Sequence, residues 1–121
     1  MKTVCILEDN ENIKEVLEIL LESENYQVES CTNVSDFYSK TKALRTDLFI
    51  LDVMLPDGSG IDVCNFLRKT TEFSKTPIIM MSANTDAIKT NKSCRPNAFI
   101  SKPFDLDMVL EKVAALMGGH S

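Results

Sequence analysis

The chain is short of the residues that loosen or break a fold: four Gly and four Pro stand among 121 residues, and no low-complexity run occurs. With 26% charged and 44% hydrophobic residues, that excludes a disordered tail and implies a compact fold with one buried core. A second domain has no room, so residues 1–121 are read as one domain. No segment approaches the roughly 18 consecutive apolar residues of a membrane span. The start, Met1-Lys2-Thr3-Val4-Cys5-Ile6-Leu7, runs at once into acids and lacks the apolar core and cleavage site of a signal peptide, which makes the cytoplasm the expected location. Cys5, Cys31, Cys64 and Cys94 form no C-x-x-C pair and meet no His cluster, which argues against a zinc site or redox motif; all four are expected as small buried hydrophobes. His120 has no partner in sequence and receives no role. A formal net charge of −5 disfavours direct binding of nucleic acid, which rests on clustered Lys and Arg.

What is present is an alternation. Short apolar runs rich in β-formers, at Thr3 to Leu7, Gln27 to Cys31, Leu48 to Leu51, Ile78 to Met81 and Ala98 to Ser101, are separated by longer amphipathic stretches. The third and fourth runs are continuously apolar, as strands covered on both faces are. Glu11 to Glu24 places Ile13, Val16, Leu17, Leu20 and Leu21 at helical spacing with acids opposite. Val34 to Ala43, Ile61 to Lys69, Asp86 to Ser93 and Leu106 to Met117 complete the order, the last with Leu106, Val109, Leu110 and Val113 as its apolar stripe. The fold expected is α/β: a (βα)5 doubly wound, five-stranded parallel sheet. Such a sheet binds its ligand beyond the carboxyl ends of its strands. That edge should gather Glu8 and Asp9, Asp52, Ser82 and Lys102.

Three carboxylates at ~4 Å repel one another by several kcal/mol per pair at an effective dielectric near 20. A hard divalent cation offsets this, and Mg²⁺ suits a site with one or two carboxylates and waters. Asp9 and Asp52 are the expected direct ligands, with Glu8 reaching the ion directly or through water. The competing reading makes Glu8-Asp9-Asn10 only an acidic cap on the first helix. Asp52 closes the apolar run Leu48-Phe49-Ile50-Leu51, and the turn-rich Leu55-Pro56-Asp57-Gly58-Ser59-Gly60 after it would leave its carboxylate exposed as a nucleophile; taken alone it could be a loop cap. Lys102 before Pro103 is either a surface turn or, if the bond is cis, an ammonium aimed across the sheet edge. Ser82 offers a hydroxyl to a phosphoryl oxygen, or caps the next helix.

Taken together, Ile6-Leu7-Glu8-Asp9-Asn10, Phe49 through Gly60, Thr76-Pro77-Ile78-Ile79-Met80-Met81-Ser82-Ala83 and Phe99-Ile100-Ser101-Lys102-Pro103-Phe104 resemble, over nearly the whole chain, the response-regulator receiver domains of two-component signalling, whose fold is flavodoxin-like or CheY-like. The resemblance implies that Asp52 accepts a phosphoryl group from a phosphohistidine of a sensor histidine kinase or phosphotransfer protein, or from a small donor such as acetyl phosphate. It implies Glu8 and Asp9 as the acidic pair, the Met54 backbone carbonyl as a main-chain metal ligand, Ser82 and Lys102 as phosphoryl partners, and Phe99 as the aromatic switch. By the same resemblance, Met54 and Asn84 occupy positions that tune dephosphorylation in that family. The switch would act on the face made by the fourth helix, fifth strand and fifth helix, toward a downstream protein or a fused output domain, as a signalling switch and not an enzyme in the ordinary sense. Two departures stand out: the stretch from Asn84 to Asn97 is short, and Cys94-Arg95-Pro96-Asn97 replaces the usual Gly-Ala segment, with Pro96 expected to end the helix early. Homodimerisation through Lys89, Lys92 and Arg95 meeting Asp107 and Glu111 is a further expectation. The alternatives are a phosphate-independent interaction module of the same fold, against which the full set of site residues speaks, and a phosphatase of the dehalogenase type, against which Met54 speaks, since a second Asp belongs there.

Overall fold

The computed structural model describes residues 1–41, 45–83 and 94–118. Its elements follow the expected order: β1 (Thr3–Leu7), α1 (Glu11–Glu22), β2 (Gln27–Cys31), α2 (Val34–Thr41), β3 (Leu48–Asp52), a two-residue ribbon of β4 (Met54–Leu55) and β5 (Gly58–Ser59), α3 (Gly60–Lys69), β6 (Ile78–Ser82), β7 (Ala98–Ser101) and α4 (Leu106–Leu116). The helix expected over 86–93 lies outside the described residues, as do Asn84, Lys89, Lys92 and His120.

The main sheet is parallel in the order β2-β1-β3-β6-β7. Strand order reverses between β1 and β3, where the ends of both strands open on the same cleft. In register, Leu7 stands beside Leu51 and Asp52 beside Met81, so residues just past each strand meet at one edge. Because side chains alternate along a strand, each central strand feeds two cores. Cys5, Leu7, Phe49, Leu51, Ile78 and Met80 face α2 and α3; Val4, Ile6, Leu48, Ile50, Ile79 and Met81 face α1 and α4. Every residue of β1, β3 and β6 is buried, which is why the runs are apolar without alternation.

The helices begin on side-chain caps. Asn10 Oδ1 accepts from Ile13 N at 3.0 Å, Ser59 Oγ from Ile61 N at 3.1 Å and Asp105 Oδ1 from Asp107 N at 2.8 Å. α1 ends before Glu24: Ser23 is its C-cap and Asn25 turns the chain with φ 67°, a left-handed value Asn adopts more readily than most residues. The apolar stripes are narrower than the sequence suggests. Leu17 and Leu21 are buried, but Val16 is 42% exposed, because at 100° per residue it falls off the buried face centred on Leu17. Leu106, at the first position of α4, is likewise exposed, while Val109 and Val113 carry the contact.

The cysteine expectation needs one correction. All four are buried, but Cys64 of α3 and Cys94 are joined as a disulfide, Cα to Cα 5.8 Å. Their separation of 30 residues hides a contact that exists only once the chain before β7 packs against α3. Cys5 and Cys31 remain free thiols.

Candidate functional site

The site is built from strand ends. Glu8 and Asp9 follow β1, Asp52 ends β3, Ser82 ends β6 and Lys102 follows β7. With Asn10, Ile13, Met54 and Ala83 they line one open cleft of about 640 Å³. The helix cap of α1 is supplied by Asn10, which leaves Glu8 and Asp9 to the cleft. Oxygens of Glu8, Asp9 and Asp52 come within 4.8 Å of one another. Every residue the sequence proposed for this edge is therefore brought to it; Phe99, expected as an aromatic switch, stands apart on β7 at 38% exposure beside Ser101, Pro103 and Phe104.

Lys102 is the cation already in the cleft. Its Nζ lies 2.9 Å from Asp52 Oδ2 and 2.8 Å from Glu8 Oε1, and the Lys102–Pro103 bond is cis. The bond to Asp52 is a formed hydrogen bond. Glu8 Oε1, fully buried, has the ammonium close but no aligned donor; its Oε2 accepts from Asn10 N at 3.1 Å. Burial raises the Glu8 carboxyl to about 7, the negative Asp52 adding to the rise while Lys102 and the Asn10 N–H oppose it. Burial alone would lower the Lys102 ammonium, but its bonds to Glu8 and Asp52 outweigh that and raise it. A buried carboxylate oxygen met only by the Lys102 ammonium, beside two further carboxylates, is a donor set of hard oxygens that one small divalent cation would satisfy. The residues fit such an ion.

The loop after Asp52 is held more firmly than the sequence indicates. A Cβ on Gly60 would lie 1.9 Å from the Asp52 carbonyl oxygen, so only glycine permits the approach by which Gly60 N donates to Val53 O at 2.8 Å. Asp57, given no role from sequence, accepts from Val34 N at 2.7 Å and Ser35 N at 3.1 Å, capping α2 from across the molecule. Those bonds hold its carboxyl below the usual range, the Val34 N–H foremost. The sequence signal was its place in a Pro-Asp-Gly turn, which marks a turn but not its distant partner.

A parallel doubly wound sheet with carboxylates and a lysine at its switch point defines a class, the flavodoxin-like α/β domains with an acidic pocket. Within it, the response regulator receiver domain matches residues 4–114, and the chain belongs to that family. It is 34% identical over 119 residues to the response regulator ArlR of Staphylococcus aureus, a match covering 97% of this chain and 53% of that protein. The chain thus spans about half the length of the curated relatives it matches. Among solved structures it is similar to the response regulator TrrA of Thermotoga maritima in complex with Mg²⁺-BeF, 29% identical with a TM-score of 0.87 over 96% of this chain and 99% of that one. The chemotaxis response regulator CheY4 of Vibrio cholerae shares the fold, with a TM-score of 0.88 at 24% identity over 96% of this chain and 98% of that one. Among the described residues, no helix is long and apolar enough to cross a membrane.

Proposed function

We propose that this receiver domain is a phospho-acceptor switch in which Asp52 takes a phosphoryl group from a phosphohistidine of a sensor kinase or phosphotransfer protein, or from a small donor such as acetyl phosphate. The observation that carries the reading is the convergence of Glu8, Asp9 and Asp52 within 4.8 Å, with the Lys102 ammonium on two of them. Glu8, Asp9, Asp52 and the Met54 backbone carbonyl would hold Mg²⁺, which when bound supplies positive charge to offset that of the carboxylates and the phosphoryl oxygens. An Asp52 carboxylate oxygen attacks phosphorus, the P–N bond of the donor breaks, and its electron pair returns to the imidazole. Lys102, now engaged with Asp52 Oδ2, turns to the new phosphoryl oxygens. Ser82 lines the same cleft and supplies a hydroxyl to them.

That rearrangement is how the site signals. A group that only one arrangement of Ser82, Lys102 and Phe99 can satisfy shifts a two-state equilibrium toward that arrangement. Phe99, at 38% exposure, starts from an outward position. The output is a protein surface or fused domain that reads the face around β7 and α4; a second copy of the chain is a further candidate there. The cytoplasm, where such phosphodonors are made, is the compartment this reading requires.

The test is incubation with Mg²⁺ and acetyl phosphate, followed by intact mass. A gain of one phosphoryl group that Asp52→Asn abolishes supports the reading. Labelling that survives Asp52→Asn overturns the assignment of the acceptor. If titrated Mg²⁺ moves neither amide shifts around Glu8 nor stability, the chain is a phosphate-independent interaction module instead.

A further inference from the structure

At the amino ends of β6 and β7, away from the acidic cleft, a second set of contacts gathers on one side of α3. Cys64 and Arg68 stand one turn apart on that helix and so meet the same neighbour. Cys64 is joined to Cys94 with Cα atoms 5.8 Å apart. Arg68 grips the residues that follow. Its Nε and Nη2 donate to Arg95 O at 3.2 and 3.1 Å, and Nη2 also to Asn97 Oδ1 at 2.7 Å. Its Nη1 donates to Thr76 O at 2.7 Å. Asn97 in turn is bonded to β6 twice, its Oδ1 accepting from Ile78 N at 2.9 Å and its N–H donating to Ile78 O at 2.8 Å. The chain entering β7 is thus held to α3 by bonds that do not depend on sulfur.

We propose that Cys64 and Cys94 form a reversible thiol–disulfide site, closed by exchange with a low-molecular-weight disulfide and reopened by a thiol. Their Cα separation lies in the range a disulfide spans without backbone movement. The Arg68 grip keeps the two sulfurs together when the bond is open, which makes its closure an intramolecular step between groups already in place. Both residues are buried, Cys94 at 5% exposure and Cys64 at 0%, so the exchange begins at Cys94, the less covered residue, and Cys64 resolves. Cys5 and Cys31, at 0% and 1% exposure, lie deeper, inside β1 and β2.

The exchange balances. The Cys94 thiolate attacks one sulfur of the small disulfide, whose S–S bond breaks and releases one thiolate. The Cys64 thiolate then attacks Cys94 Sγ, forming the internal bond and expelling the second. The two protons lost from the cysteines leave on the two small thiols, and the oxidant is reduced by two electrons. In a compartment kept reducing, the open dithiol is the resting form, so closure reports oxidation. Closure also encloses β6 and Ser82 in a covalent ring. The site is independent of phosphoryl uptake.

The wild-type chain serves for the test, equilibrated in glutathione buffers of varied ratio, quenched with acid, alkylated and mapped by peptide mass. The expected result is a Cys64–Cys94 linked peptide under oxidised glutathione that is freed by the reduced form, with Cys5 and Cys31 unlinked throughout. The oxidised chain should also unfold with an equilibrium constant about five hundredfold smaller, as a ring closed across 30 residues predicts. Replacing Arg68→Gln should move the balance severalfold toward the dithiol. Cysteines that stay unlinked at every ratio, a link that saturating reduced glutathione fails to open in the folded chain, or a link to Cys5 or Cys31 overturns the proposal. An unchanged balance in Arg68→Gln overturns the part assigned to the arginine.

Discussion

At the carboxyl end of the sheet a single ammonium, Lys102, faces Glu8 and Asp52 with Asp9 alongside, and Glu8 Oε1 stays buried without an aligned donor. At the amino end of β6 and β7 the Arg68 guanidinium meets carbonyl oxygens of Ser74, Thr76 and Arg95 and the side-chain oxygen of Asn97, with no carboxylate among its described partners. Both cations hold separate segments together, yet only the first end carries excess negative charge. A cluster of carboxylates responds to any proton, metal ion or phosphoryl group that changes the balance; a guanidinium whose donors are met by neutral oxygens holds the frame. Signalling chemistry fits the first end, and among the described residues the second end offers the chemistry of its sulfurs.

The sharpest way to break this contrast is to remove the cation at each end. Lys102→Met leaves buried Glu8 and Asp52 facing each other. It should cost about 3 kcal/mol of stability at pH 8 in denaturant titration, the scale for breaking a buried pair, and should abolish phosphoryl uptake from acetyl phosphate. The loss should shrink toward pH 6, where Glu8 takes up a proton. Lys102 itself stays charged across that range, because its raised ammonium keeps the pair intact until pH rises past its usual value. Arg68→Met should cost less, about 1–2 kcal/mol for carbonyls left without donors, and by the same amount at pH 6 and pH 8. A pH-dependent cost for Arg68→Met would erase the distinction between the ends.

A finer test uses the proton alone. Glu8 holds its proton up to about pH 7 in the fold but only to about 4.5, the ordinary carboxyl value, when unfolded. Between those values the native state binds more protons, so metal-free stability should fall as pH rises through that window. Glu8→Gln should flatten the slope; a slope that survives it assigns the effect elsewhere. The smallest effect concerns Asp57, which touches neither end but pins the loop after Asp52 to α2. Asp57→Ala should weaken Mg²⁺ binding about tenfold, as loss of an outer support does, measured by amide shifts well below the unfolding temperature. A variant that lowers stability yet binds Mg²⁺ as before would make Asp57 a helix cap and nothing more.

The parts of the molecule legible in advance share a cause. β1, β3 and β6 are buried on both faces, so their apolar runs are continuous and their ends are marked by the first polar residue, which is how Glu8, Asp52 and Ser82 stood out. Lys102 was legible as the residue past the last strand, and the cis bond placing it was left open beside a surface turn. Val16 was misplaced because helical spacing gives the angle between residues but not the width of the face a sheet covers. Asp57 on α2, Arg68 on Asn97 and Cys64 on Cys94 were not legible. Each joins elements far apart in sequence through groups whose local role, turn, surface charge or small hydrophobe, is complete without the partner.

By itself, then, the chain's pattern determined the strand and helix order, the doubly covered central strands and the polar residues that close them, because burial and periodicity act on neighbours along the backbone. Tertiary structure alone decided which carboxylate oxygen lacks an aligned donor, which aspartate caps a distant helix and which two of four cysteines meet. Those outcomes depend on distances of a few ångströms between segments that only packing brings together.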